Sequence, residues 1–185
     1  MDVQTAIRTR RDIEAFAPEC PPRAVIGRIV EGAVWAPNHR LTEPWRFTVL
    51  AGDGRVAMAD AVQAWLEAGG TTEGAVRSAR NKVLRAPVSI IVAQVGRSDD
   101  PVRDLEDYAA CMCAVQNMLL EAHAEGLVVH LSTDRTMLDA GAKAHLGLAP
   151  EDRIVAYLNL GYARADAEAK PGVRQPPVVR WDWPA

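Results

Sequence analysis

The 185-residue sequence has few of the residues that would place it in a specialised class of protein. Its three cysteines are an odd number, which gives no disulfide framework and suits a reducing compartment. Its longest run without a charged residue, residues 108–120, has 13 residues and is too short to span a bilayer. The first residues are polar and contain no apolar core of a signal peptide. We therefore expect a cytoplasmic protein with no membrane partner.

The sequence also lacks an excess of positive charge and the common nucleotide-binding and catalytic motifs. Its net charge of -3 argues against a nucleic-acid partner. It has no GxGxxG or GxxxxGKS/T loop for a dinucleotide or triphosphate, and no GxSxG turn for a nucleophilic serine. Histidines and cysteines do not have the spacing of a metal site, so no metal is expected. If the protein is an enzyme, a cofactor is expected to carry the difficult chemistry.

What the sequence does contain fits one α+β domain over residues 1–185. Hydrophobic residues make up 49% and charged residues 24%, as in an ordinary globular protein. A mass of 20.1 kDa predicts a folded accessible surface of about 8,700 Å². Apolar residues at helical spacing alternate with short β-branched runs, and residues 88–95 are typical of a central strand buried on both faces. The alternation predicts about four strands wrapped by helices.

The element boundaries follow from capping residues and from glycine and proline. Helices are expected from Asp2 to about residue 11, from Pro22 to Pro37, and over 55–68, 72–84, 104–125 and from Asp134 to about residue 146. Strands are expected over 46–51, 88–95, 127–131 and 153–160, with a turn at 52–54. The helix over 104–125 is apolar nearly all the way round, which predicts burial on every side.

Arginines near both ends of the chain are candidates for binding an anion. Arg8, Arg10 and Arg11 either place favourable charge at a helix C-terminus or form a phosphate clamp, because a guanidinium matches phosphate oxygens bidentately. Arg174 lies in a proline-rich tail, where a lone arginine is usually solvated. The residues alone leave both alternatives open.

The loop over residues 37–45 is a third candidate. Asn38 and His39 offer hydrogen-bond donors and acceptors between Pro37 and Pro44, which stiffen the loop. The alternative is a capped helix end that leads into a strand whose Trp45 packs in the core.

Taken in order, these segments resemble the nitroreductase family of FMN-dependent oxidoreductases. Residues 10–16 resemble its Arg-Arg-Ser motif, and residues 36–47 resemble its second signature, the more specific match. Residues 116–126 are similar to its long central helix, and residues 158–161 and 174–181 to its last segments. The similarity spans nearly the whole chain, and the compact length resembles the smaller, single-domain branch.

The resemblance implies an α+β homodimer with a mixed or antiparallel sheet of about four to five strands, and FMN at the subunit interface. The apolar helix over 104–125 would then lie in the shared core. NADH or NADPH would donate a hydride to the flavin, and a nitroaromatic, a quinone or another electron-poor small molecule would accept the electrons. The protein would position both partners without an obligatory catalytic acid or base.

The resemblance also implies a set of cofactor-binding residues. Arg10 and Arg11 would hold the phosphate and ribityl end, with Arg174 as a second phosphate ligand, and residues 131–133 would lie against the flavin. The full set is Arg10, Arg11, Asp12, Trp35, His39, Leu131, Ser132, Thr133 and Arg174.

The chain departs from the family motifs at four positions. Asp12 replaces the usual Ser, Glu14 stands where Arg is common, and Leu131 and Asp134 replace a common Trp and Gly. A carboxylate near a phosphate weakens anion binding unless it points away or orients an arginine. Alternatives are therefore a flavin-fragmenting relative, which Arg-Arg-Asp also resembles, a non-catalytic FMN-binding protein, and a dimer without flavin.

Overall fold

The computed structural model describes residues 1–133, 140–169 and 172–182. In these ranges the chain forms six α-helices and four β-strands. The helices are α1 (Val3–Thr9), α2 (Arg23–Ala33), α3 (Asp53–Ala68), α4 (Glu73–Leu84), α5 (Pro101–Ala124) and α6 (Ala140–His145). The strands are β1 (Trp45–Ala51), β2 (Val88–Gln94), β3 (Val128–Ser132) and β4 (Arg153–Gly161).

The four strands form one sheet in the order β1-β2-β4-β3, and every neighbouring pair is antiparallel. All seven residues of β2 are buried, as its unbroken apolar sequence predicts for a central strand. β1 and β3 are the edges of the sheet. The predicted α+β class with about four to five strands is confirmed.

Helices cover both faces of the sheet, so the molecule has two apolar cores. Side chains alternate along β2: Ile90 and Val92 contact the core formed with α2 and α5, whereas Ile91 contacts the core formed with α3 and α4. Met118 of α5 and Met58 of α3 are almost completely buried, one in each core. The edge strand β3 joins the first core, which places α5 behind it.

Helix α5 begins earlier than the predicted residue 104. The Asp100 carboxylate accepts a hydrogen bond from the Val102 N–H at 2.9 Å, and Pro101 occupies the first turn, where a missing N–H costs nothing. Met112 and Cys113 remain partly exposed, so the prediction that this helix is buried on every side is not met within one chain. In the described ranges, no helix combines the length and hydropathy needed to cross a bilayer.

Three other predicted boundaries were wrong, and one lies outside the described residues. Helix α2 ends at Ala33 and not at Pro37, and residues 34 and 35 already form a turn. Helix α1 ends at Thr9, because Arg10 already has extended backbone angles. The predicted turn over 52–54 is instead one residue, Gly52 at φ 51°, and α3 begins at Asp53. The predicted cap Asp134 is not among the described residues.

Candidate functional site

A surface cavity of about 530 Å³ lies between the segment that follows α1 and the C-terminal tail. Arg11 and Arg174, from opposite ends of the chain, both line it. A Cβ atom added to Gly172 would lie 3.0 Å from the Arg11 Cζ, so the absence of a side chain lets the tail approach this guanidinium closely. The carboxylates of Asp12, Glu14 and Glu168 line the cavity as well, so it suits an anion only on the side where the two guanidinium groups face it.

Arg10 and Arg11 lie beyond the end of α1, so of the three basic residues only Arg8 is in its last turn. The Arg11 Nη1 donates to the carbonyl oxygens of Arg8 at 2.7 Å and Arg10 at 2.9 Å, which orients its guanidinium. Arg10 and Arg11 also line a smaller hollow of about 220 Å³ together with His123. Burial, and then the charges of Arg10 and Arg11, lower the pKa of His123. Arg10 and Arg11 therefore create a positive field between the two cavities.

Asp12 connects this segment to the edge strand β3. Its Oδ1 accepts a hydrogen bond from the Leu131 N–H at 3.0 Å, and its Oδ2 lies 2.8 Å from the His130 Nδ1. The backbone adds a parallel bridge between Asp12 and Val129, and the Ile13 N–H donates to the Val129 carbonyl at 3.3 Å. Asp12 therefore fixes the end of β3 relative to the two arginines that precede it.

Glu14, the second acidic departure from the family motif, forms an ion pair with Arg85. One of its oxygens also lies 3.7 Å from the His130 Nδ1, and ligand atoms of Asp12, Glu14 and His130 all lie within 4.8 Å of one another. Because the Leu131 N–H and Arg85 already engage the two carboxylates, we interpret this cluster as a clamp on β3 rather than a metal centre. Neither carboxylate is left unpaired beside the arginines.

The loop between α2 and β1 is held by a chain of hydrogen bonds. The Asn38 carboxamide donates to the Thr42 Oγ1 at 2.9 Å and accepts from the Glu43 N–H at 2.7 Å. The Thr42 hydroxyl donates in turn to the Asp107 Oδ1 of α5 at 2.5 Å. Asp107 is only 4% exposed. The loop is therefore anchored on a buried carboxylate.

The backbone of the same loop adopts unfavourable angles at three residues that are not glycine. Arg40, Leu41 and Glu43 have φ values of 61°, 51° and 46°. Each such conformation costs about 1–3 kcal/mol and persists only when its surroundings impose it. The tip that results is exposed, with Leu41 82% accessible.

The structure divides the predicted cofactor-binding residues into two groups. Arg11, Asp12 and Arg174 line the large cavity, and Asp12 holds Leu131 beside it. Arg10 lines the smaller hollow, whereas Leu131, Ser132 and Thr133, at the end of β3, line neither of these two cavities. The second group consists of Trp35, which is 81% exposed, and His39 at the tip of the loop, and neither lines either of these two cavities.

Several residues that shape these regions were missed from the sequence. Asp107 could have been found, because it is the acidic residue directly before the uncharged stretch 108–120, which the sequence predicts to be buried. Arg85, His130 and Gly172 gave no such signal, because each acts through a contact with a distant segment. Arg85 pairs with Glu14, 71 residues away, and His130 with Asp12, 118 residues away. Gly172 lies against Arg11, from the opposite end of the chain.

Comparison with known proteins identifies relatives over most of the chain. A model of the Nitroreductase family matches residues 7–162. A Bacillus subtilis (strain 168) protein named "Putative NAD(P)H nitroreductase YfhC" is 30% identical over 167 residues, which cover 89% of this chain and 86% of that protein.

Solved structures support the same assignment. A nitroreductase-like family protein from Bacillus cereus superposes with a TM-score of 0.83 at 26% identity, covering 96% of this chain and 92% of that one. A Desulfovibrio desulfuricans protein described as a "putative nitroreductase in complex with fmn" superposes with a TM-score of 0.72 at 25% identity, covering 100% and 99%. With its antiparallel sheet and the paired arginines after the first helix, the chain belongs to the nitroreductase family.

Proposed function

We propose that this protein is an FMN-dependent oxidoreductase that passes electrons from NADH or NADPH to a small electron-poor acceptor such as a nitroaromatic or a quinone. The observation that carries the proposal is the meeting of Arg11 and Arg174 in one cavity beside the end of β3. Family membership supports it, and so does the Desulfovibrio relative described as a complex with FMN. When bound, the flavin supplies the hydride and electron transfer, and the residues of the chain bind and orient it.

The chemistry of the cavity fits the phosphate end of FMN. Arg11 and Arg174 provide planar, permanently charged donors for a phosphate dianion, and the absence of a side chain at Gly172 lets the tail lie against the Arg11 guanidinium. Arg10 adds positive charge from the neighbouring hollow. Residues 131–133, at the end of β3, would then lie along the flavin. One arginine cluster suits one terminal phosphate, so we propose FMN rather than FAD.

The two acidic departures from the family motif do not argue against this anion site. Asp12 is engaged by the Leu131 N–H and His130, and Glu14 by Arg85. A carboxylate whose charge is compensated in this way repels a nearby phosphate less than a free one. Their engagement favours a bound flavin over a dimer that has lost it.

A homodimer would bring together the two groups of cofactor residues. Trp35 and His39 are exposed outside the large cavity, so a second copy would place them against the flavin held by the first. The chain exposes 11,241 Å², well above the roughly 8,700 Å² expected for its mass. Residues 172–182 are all exposed, and obligate dimers bury about 2,000–5,000 Å². The excess surface is thus of the size that such an interface covers.

A cytoplasmic location is part of the proposal. All three cysteines are free, with Cys20 exposed, Cys111 buried and Cys113 between the two. Free thiols are compatible with a reducing compartment.

Cofactor analysis and turnover test the proposal. Cofactor released by heat from the purified full chain should co-migrate with FMN, and the holoprotein should oxidise NADH or NADPH steadily when a nitroaromatic or a quinone is added. Bound FMN without turnover would indicate a non-catalytic flavoprotein. Oxygen-dependent loss of the flavin itself would indicate a flavin-fragmenting relative, and a protein that stays colourless after reconstitution would contradict the proposal.

A further inference from the structure

We propose that Asp107 is a positioning residue: through Thr42 and Asn38, it holds the loop that presents His39 to the cofactor. The inference rests on the proposed function, in which this loop of one copy closes over the flavin bound by the other. Asp107 itself would not touch the cofactor or the substrates.

The three side chains form a continuous link from a rigid helix to both ends of the loop. Asp107 lies in α5, whose buried face packs against the sheet. Its carboxylate accepts from Thr42 near the end of the loop, and Thr42 accepts from Asn38 at the start. Asn38 then closes the loop by accepting from the Glu43 N–H. Movement of either loop end would break at least one of these bonds.

The loop needs such an anchor because its backbone does not favour the conformation that it adopts. Arg40, Leu41 and Glu43 have positive φ angles that side-chain-bearing residues rarely adopt. Clusters of backbone strain occur most often at functional sites, where the surroundings impose them. The nearby contacts that can impose this one include the short hydrogen bonds from Thr42 and the Glu43 N–H.

The anchored tip contributes little to the stability of its own chain. His39, Arg40 and Leu41 are exposed, and the side chains of His39 and Arg40 make no hydrogen bond or ion pair with the described residues. A buried carboxylate and a strained backbone are therefore used to hold side chains that face outward. This arrangement is expected where the loop meets a ligand or a second copy. Trp35, three residues before Asn38, is exposed as well.

The test compares four full-length variants. Thr42→Val removes the hydroxyl without changing the side-chain shape, and Thr42→Ser restores it. Asp107→Asn keeps an acceptor for the Thr42 hydroxyl while removing the charge. Thr48→Val, in β1 and outside the link, controls for the Thr-to-Val change itself.

Two independent readouts are measured on each variant. Hydrogen exchange of the Glu43 amide in the flavin-free protein reports loop order, and it should be at least about tenfold faster in Thr42→Val than in the wild type or Thr48→Val. FMN affinity and steady-state kinetics report the site: the Kd for FMN and the KM for the electron acceptor should rise about tenfold in Thr42→Val, as expected for loss of a hydrogen bond to a charged group. The kcat at saturation should change less than about twofold. Thr42→Ser and Asp107→Asn, which keep the hydroxyl and its acceptor, should stay close to the wild type in both readouts.

Each outcome has a separate meaning. Unchanged Glu43 exchange in Thr42→Val would overturn the anchor, whether or not the protein binds flavin. Faster exchange with unchanged Kd and KM would overturn the positioning role, because the link would then order the loop without affecting cofactor or acceptor binding. Failure of the wild type to bind FMN would refute the proposed function and, with it, the positioning role, whereas the exchange measurement would still decide the anchor.

Discussion

Two regions of this molecule use a carboxylate to hold a segment in place, and they do so in different surroundings. Asp12 ties the segment after α1 to β3, and its side chain is 49% exposed. Asp107 ties the loop over residues 38–43 to α5 and is 4% exposed. Asp12 works beside arginines that would face a bound anion, whereas Asp107 works inside the protein beneath an exposed tip.

The difference follows from what each segment must hold. The segment after α1 is fixed by a backbone bridge to β3, and a phosphate bound between Arg11 and Arg174 would hold it further, so a solvent-accessible carboxylate is sufficient. The loop has strained backbone and no such ligand in its own chain, so its anchor lies where water cannot compete. Hydrogen bonds in a low-dielectric interior are stronger, and leaving one partner unsatisfied there is costly.

The largest effect is expected from removing a cation in the first region. Arg11→Ala, Arg174→Ala and Arg10→Ala should each weaken FMN binding about 10- to 150-fold, because a charge-assisted hydrogen bond is worth about 1.5–3 kcal/mol. Fluorescence titration of FMN into each flavin-free variant measures this loss. Arg103→Ala, which removes an exposed arginine of α5 outside the cavity, is the matched control.

The three arginine variants also decide which cavity receives the phosphate. Losses in Arg11→Ala and Arg174→Ala without a loss in Arg10→Ala would place the phosphate in the large cavity alone. Wild-type affinity in all three would contradict an arginine-bound phosphate and would remove the basis of the comparison between the two regions.

The second prediction concerns the stability that each carboxylate provides. Asp107→Ala should lower the free energy of unfolding by about 1–3 kcal/mol, because it leaves the Thr42 hydroxyl without its acceptor in a partly buried site. Asp12→Ala should cost only about 0.5–1.5 kcal/mol, since water can replace an exposed acceptor. Urea unfolding of the flavin-free proteins at pH 7 compares them. An equal or larger loss in Asp12→Ala would reverse the comparison.

The fold was predictable from the sequence because its elements are strongly patterned. The unbroken apolar run of β2 gave a central strand, and the amphipathic spacing in α2 gave a helix whose Ile26 and Ile29 are buried. The wrong boundaries occur where one residue decides the outcome. Gly52 supplies the turn before α3 by itself, and the capping Asp100 starts α5 ahead of the apolar stretch.

The candidate site was predictable only in part, because its residues are assembled from distant segments. The resemblance indicated Arg11 and Arg174, and the structure places both in one cavity. What holds these regions could not be read from local spacing: Asp12 meets His130 across 118 positions, and Thr42 meets Asp107 across 65. Such contacts depend on the sheet order and on the packing of α5, which periodicity does not encode.

The smallest expected effect is a pH dependence of the first region. Burial, followed by the charges of Arg10 and Arg11, lowers the pKa of His123 in the folded chain. Protonation of His123 therefore opposes folding. The stability that the neutral imidazole contributes is complete above its unfolded-state pKa of about 6.5, and it is lost as the pH falls through the lower folded-state pKa. The melting temperature of the flavin-free protein should fall as the pH is lowered from 7.5 to 5, and His123→Gln should flatten this dependence.

Ligand binding sharpens the pH prediction into a test of where the phosphate lies. A phosphate dianion beside Arg10 and Arg11 offsets their positive field at His123, so FMN should reduce the difference in pH dependence between the wild type and His123→Gln. Riboflavin, which has the same ring and no phosphate, is the matched control and should leave that difference unchanged. Equal effects of FMN and riboflavin would mean that the phosphate does not reach this pair of arginines. Because the field acts only over a short range, the large cavity between Arg11 and Arg174 would then have to hold the phosphate on the side away from Arg10.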